Sequence, residues 1–158
     1  MPESQETGEH VAISLSLEPV HHIRLTVTDI ERSRAFYTDV LGFEVAVAGP
    51  PAAADPNYAA FVENLQGGIV LTGSGILLGL RPADEERQST KDRFDPFRVG
   101  LDHLSFKVTD RASLEAAVAT LDEHGIPHGV IADLPIFGIS VLSLEDPDGI
   151  QLELNAPL

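Results

Sequence analysis

The chain has 158 residues, no cysteine and a formal charge of −15, from 25 acidic and 10 basic residues. That length suits one compact domain with a buried core; the absent cysteines exclude disulfides and thiolate metal sites, and the acidity repels phosphate backbones, which excludes nucleic acid as a partner. No apolar run nears the roughly 18–20 residues needed to cross a bilayer, so no membrane partner is expected. The acidic start "MPESQETGEH" lacks the basic and apolar regions of a secretory signal, which points to the cytoplasm.

Residues 1–18 carry Glu3, Glu6, Glu9 and Glu18 and are expected to form a flexible acidic leader, leaving 19–158 as a single domain. In "VHHIRLTVTD" (20–29), Ile23, Leu25 and Val27 alternate with His22, Arg24 and Thr26, the period of a half-buried strand. Asp29 then suits the N-cap of "IERSRAFYTDVLG", whose Ile30, Phe36, Val40 and Leu41 fall on a buried stripe, and Gly42 ends the helix. Phe36 and Tyr37 are expected in the core. "FEVAVAG" reads as a short strand, followed by the Pro/Ala loop "PPAAADP". "YAAFVE", "GIVLTG" and "GILLGLRP" read as further strands, the first being compatible with a helix as well. Residues 83–99 form a polar linker.

The second half restarts at "LDHLSFKVTD", where Leu104, Phe106 and Val108 alternate with His103, Ser105 and Lys107. A helix, "RASLEAAVATLDEHG", runs to Gly125. "GVIAD", "GISVLSLED" and "IQLELN" follow as strands, the last two joined by a tight turn at "DPDG". His22 and Asp29 recur 81 residues later as His103 and Asp110. A tandem duplication explains this: two modules, 19–82 and 100–156, each strand, helix and strands. The fold class is α+β, two tandem βαβββ modules forming a curved, cup-shaped mixed sheet with the helices outside.

The apolar face of each repeat strand must pack on its helix, so the histidine face lies on the other side. The last strand repeats the pattern, with Ile150, Leu152 and Leu154 opposite Gln151, Glu153 and Asn155. If the sheets curl into a cup, His22, His103 and Glu153 converge as ligands of one divalent metal per chain. Two imidazoles and a carboxylate leave coordination positions open, which suits Fe(II) and also Mn, Co, Ni or Zn. Arg24 and Lys107 share the histidine faces. With Glu153 they are the candidate catalytic residues, placed to pair with an anionic substrate group or offset developing charge. Thr26, Ser105, Gln151 and Asn155 are candidate hydrogen-bonding neighbours of the ligands. His21 is expected to face away from His22, and Tyr58, Phe61 and Phe137 to line the cavity.

"VHHIRLTVTDIERSRAFYTDVLGFEV" and "LEDPDGIQLEL" resemble the opening and closing motifs of the vicinal oxygen chelate superfamily, over roughly residues 19–156. That superfamily includes glyoxalase I, extradiol dioxygenases, fosfomycin-resistance transferases, methylmalonyl-CoA epimerase and bleomycin-resistance proteins. By position, the resemblance implies His22, His103 and Glu153 as metal ligands. It puts Gly79 where glyoxalase I has a glutamate and the epimerases a glutamine, leaving a three-ligand set. Two departures from the extradiol pattern are visible: no tyrosine lies shortly before Glu153, and no histidine lies between His22 and His103. The implied activity is a dioxygenase-like oxidation, at non-haem Fe(II), of a small molecule chelated through vicinal oxygens. A non-redox lyase, isomerase or thiol transferase on the same metal, or a drug- or metabolite-binding resistance protein, are the alternatives. A homodimer is the implied assembly.

Overall fold

A computed structural model describes residues 16–90 and 92–158; the expected acidic leader lies largely outside the described residues. Strand β1 (His22–Val27) leads into helix α1 (Ile30–Ala35). Asp29 caps that helix by accepting a hydrogen bond from the Arg32 amide at 3.0 Å. A wider, π-helical turn, Phe36–Val40, prolongs α1, and Gly42, at φ +71°, releases the chain. Strand β2 (Glu44–Val47), helix α2 (Tyr58–Leu65), strand β3 (Ile69–Gly73) and strand β4 (Ile76–Pro82) complete the first module. The second holds strand β5 (Leu104–Lys107), helix α4 (Arg111–Glu123) and strands β6 (Ala132–Leu134), β7 (Ile139–Glu145) and β8 (Gln151–Pro157). Asp110 caps α4 as Asp29 caps α1, through the Ser113 amide at 2.9 Å.

Two segments differ from the sequence reading. "YAAFVE", read first as a strand, is the start of α2: Tyr58, Phe61, Val62 and Leu65 recur at helical spacing, which decides against a strand's alternation. The polar linker is not featureless either, because helix α3 (Glu85–Thr90) forms within it. Its first turn is held by Asp84, which accepts from the Arg87 amide at 2.9 Å.

The duplication is plain in the topology. One four-stranded sheet has the order β1-β4-β3-β2 and the other β5-β8-β7-β6. In each, the first strand of the module runs parallel to its last, while the remaining pairs are antiparallel. The sheets remain separate, each with one apolar face. Leu25 and Val27 on one, and Leu104, Leu152 and Leu154 on the other, belong to a single core that spans both modules. Phe43 and Phe106 meet across the junction with ring centroids 5.9 Å apart. Tyr37 is fully buried there, as expected of it, and Phe36 nearly so.

The DPDG turn does more than reverse the chain. Asp146 accepts the amides of Asp148 and Ile150, each at 2.8 Å, and the Tyr37 hydroxyl at 3.1 Å. Asp148 accepts the Thr28 amide at 2.9 Å and the Arg32 guanidinium at 2.7 Å. Both carboxylates are buried, so two acids of the second module lock it to the first module's β1–α1 corner.

Gly68 stands where the chain leaves α2 for β3. A Cβ there would lie 2.2 Å from the Leu80 carbonyl oxygen and 2.8 Å from that of Leu65. Both obstacles are backbone, so the sheet itself would have to shift. We expect Gly68→Ala to lower stability by about 2–3 kcal/mol, read as an earlier urea midpoint at unchanged slope. Among the described residues, no helix is long and apolar enough to cross a membrane.

Candidate metal site

The polar face of the second sheet carries the best-formed site. Glu153, in the middle of β8, is paired in register with Ser105 of β5 and Ser143 of β7. His103 sits just before β5, and its Nε2 lies 3.3 Å from Glu153 Oε2. On the ring's other side, Nδ1 is hydrogen-bonded to the Asp102 carboxylate. A cleft of about 170 Å³ opens over this pair, with Ser143 and Gln151 beside it and Pro96 and Phe97 as its wall. The hydrogen bond that His103 donates to Asp102 is the main cause that raises the His103 pKa above the ordinary value; the charge of Glu153 adds to it and partial burial opposes it.

The pair passes a simple geometric test for a cation. Nitrogen and oxygen ligands sit roughly 2.0–2.2 Å from a first-row divalent ion, so two neighbouring ligands are about 3 Å apart. The 3.3 Å gap matches that spacing. Both side chains are partly open, at 40% and 29% exposure, so an ion can reach them from the cleft. An imidazole and a carboxylate with no thiolate suit iron, manganese, cobalt, nickel or zinc.

His22 is not brought to this pair within one chain. It opens β1 on the other sheet, opposite Leu77 of β4, and does not line the cleft. Among the described residues, no three His, Asp or Glu side chains of a single chain form a metal-sized group. The structure also corrects the expectation for His21: rather than facing away, its Nδ1 lies 3.0 Å from that of His22, the rings meeting edge-on. His21 precedes the strand, so strand alternation does not govern where it points.

The other anticipated residues separate by sheet. Arg24 extends over Gly79, its partner in β4, where a Cβ would lie 3.1 Å from Arg24 Cγ. Its guanidinium donates to the carbonyls of Asn64 and Leu65, at the C-terminal end of α2. Lys107 lies on the Glu153 side, paired with Asn155. Asn155 donates to Ser105 at 2.8 Å and Gln151 to Glu145 at 2.9 Å. Tyr58, Phe61 and Phe137 do not line the cleft, whereas Phe97, which sequence reasoning passed over, does. Asp102 was also missed, although "LDH" sets it beside its histidine.

A wider cavity of about 290 Å³ lies at the junction of the modules, lined by Thr26, Thr28, Arg87, Arg93 and Asp148 among others. Its charges are already matched: Arg87 pairs with Asp84 and Arg93 with Glu145 at 2.9 Å. It reads as a seam between modules.

Comparison with known proteins agrees with this architecture. The model of the Glyoxalase/Bleomycin resistance protein/Dioxygenase superfamily matches residues 20–154. The chain is 34% identical over 141 residues to the uncharacterized protein YaeR of Escherichia coli (strain K12), covering 89% of this chain and 97% of that one. It is 31% identical over 137 residues to the catechol-2,3-dioxygenase of Bacillus subtilis (strain 168), covering 87% of this chain and 41% of the relative. Among solved structures, a glyoxylase/bleomycin resistance protein/dioxygenase domain from Frankia sp. EAN1pec superposes with a TM-score of 0.70 at 28% identity, covering 90% of this chain and 100% of that one. With two βαβββ modules, a duplicated histidine strand and a family match across nearly its whole length, this chain belongs to the Glyoxalase/Bleomycin resistance protein/Dioxygenase superfamily.

Proposed function

We propose that the protein is a metal-dependent enzyme acting on a small molecule through two neighbouring oxygen atoms, with His103 and Glu153 of one copy and His22 of a second copy as the ligands. The observation that carries this reading is the His103–Glu153 pair, at the spacing of two ligands of one ion and open to a cleft. The second copy follows from placement. The polar faces of the two sheets carry the ligands, and within one chain His22 does not join the other two. A two-fold homodimer that sets β1 of one copy against β5 of the other would bring the three together.

When bound, a divalent cation supplies Lewis-acid polarisation to a chelating substrate. The chain's own residues do the rest. Glu153 and His103 hold the ion, Ser143 and Gln151 offer hydrogen bonds beside it, and Lys107 lies along the same face to balance an anionic group. Arg24, tied to the end of α2, fixes the wall that the first sheet contributes. Gly79 offers no fourth donor from β4, so coordination positions stay open for substrate. We favour Fe(II) and a dioxygenase-like oxidation, supported by that open set and by the identity to a catechol-2,3-dioxygenase.

The test is elemental mass spectrometry on untagged protein purified without oxygen, followed by oxygen uptake with a panel of catechols. Stoichiometric iron with substrate-dependent uptake is the expected result. Stoichiometric nickel, zinc or manganese without uptake would replace the oxidative reading with lyase or isomerase chemistry. A chain that neither carries nor takes up metal would overturn metal dependence altogether.

A further inference from the structure

Both ring nitrogens of a histidine can bind a metal, and which one does so is set by what the other holds. Neither backbone nor packing settles this for His103. It lies just outside β5, and its side chain is 40% exposed. What orients the ring is the carboxylate of the preceding residue: Asp102 occupies Nδ1, which turns Nε2 toward Glu153. The first module has the same device with different chemistry. There the preceding residue is His21, and its Nδ1 engages Nδ1 of His22 at 3.0 Å. Positions 21 and 102 are themselves equivalent in the 81-residue repeat.

We propose that the residue before each repeat histidine, His21 in the first module and Asp102 in the second, is a positioning residue that holds Nδ1 and reserves Nε2 for the metal. This rests on the metal reading given above. In the second module Nδ1–H donates to Asp102, an anion that makes the opposite nitrogen a stronger donor and offsets part of the ion's charge. In the first, the partner of His22 Nδ1 is an imidazole nitrogen rather than a carboxylate. The two modules therefore contribute unequally, and Asp102 has the greater effect.

The experiment has two readouts on the intact chain. The first is nitrogen-15 NMR of the histidine rings in metal-free protein, which reports which ring nitrogen carries the proton and its hydrogen bond. The second is affinity for Co²⁺, titrated by its visible absorption against a competing chelator. Asp102→Ala is expected to weaken Co²⁺ binding roughly 10- to 100-fold and to release His103 Nδ1. Asp102→Asn, which keeps an acceptor oxygen without the charge, should fall in between while retaining the orientation. His21→Ala should cost less than Asp102→Ala. An Asp102→Ala protein that keeps wild-type affinity and ring state overturns the inference. A wild-type protein that takes up no Co²⁺ instead overturns the metal reading, while its ring spectrum still reports whether Asp102 holds Nδ1.

Discussion

Asp146→Ala is expected to lower stability by about 3–4 kcal/mol, since it strips one acceptor from three buried donors at once. The amides of Asp148 and Ile150 and the hydroxyl of Tyr37 all end on this carboxylate, in a region too enclosed for water to replace it readily: Tyr37 is fully buried and Ile150 and Asp148 nearly so. Tyr37→Phe removes only one of those bonds along with its donor, and should cost about 1 kcal/mol. Asp146→Asn separates shape from charge. Its amide oxygen can accept the two backbone N–H groups, and its NH₂ can donate to the Tyr37 oxygen.

Burial is the main cause that lifts the Asp146 pKa above the usual carboxylate range, against the opposing backbone hydrogen bonds. A pKa raised by folding adds stability at pH below the unfolded value, and that stability is lost as pH rises through the folded value. Asp146→Asn removes this dependence. Acidification from neutrality to just above the ordinary carboxylate range should thus favour the wild type relative to Asp146→Asn. Denaturant unfolding of the four proteins at several pH values checks the set.

His103→Ala is the change with the largest expected effect on function: metal content should fall to background with the fold intact. The ring is at the mouth of a cleft and outside the core, so its removal leaves no cavity in the packed interior. Glu153→Ala should do the same to metal content at little cost in stability, because that carboxylate is also partly exposed. Loss of metal without loss of thermal stability distinguishes ligand removal from unfolding, and elemental analysis beside a melting curve measures both.

The fold was legible because the signals were redundant. Two strands with the same alternation, two aspartate caps and two helix-ending glycines occur at nearly constant offset, and tertiary packing kept them all. What escaped was tertiary in origin. "YAAFVE" is short enough to satisfy either period, and only its continuation to Leu65 decides for a helix. The DPDG motif reads as a turn, yet its two carboxylates bind Thr28 just after β1, Arg32 of α1 and Tyr37 of the turn that prolongs it, each more than a hundred residues away, a partnership that no local pattern records. At the candidate site, strand polarity set Glu153 on the polar face of β8, and His103, which lies just before β5, was marked by its equivalence to His22 in the repeat. The separation of His22 from them was not legible, because alternation states which face a residue occupies and says nothing about how two sheets are joined. Arg24 shows the same limit: its face was right, but a helix end claims its guanidinium.

Subunit mixing tests whether the metal site is built from two copies. His22→Ala and His103→Ala chains, each metal-free alone, would be co-expressed with different tags and the mixed dimer isolated. If His22 serves the other copy's His103 and Glu153, the mixed dimer holds one wild-type site and one doubly broken one. Metal is then expected to return to half the wild-type content per dimer. A mixed dimer without metal, beside a wild-type protein that binds it, would contradict a site shared between copies.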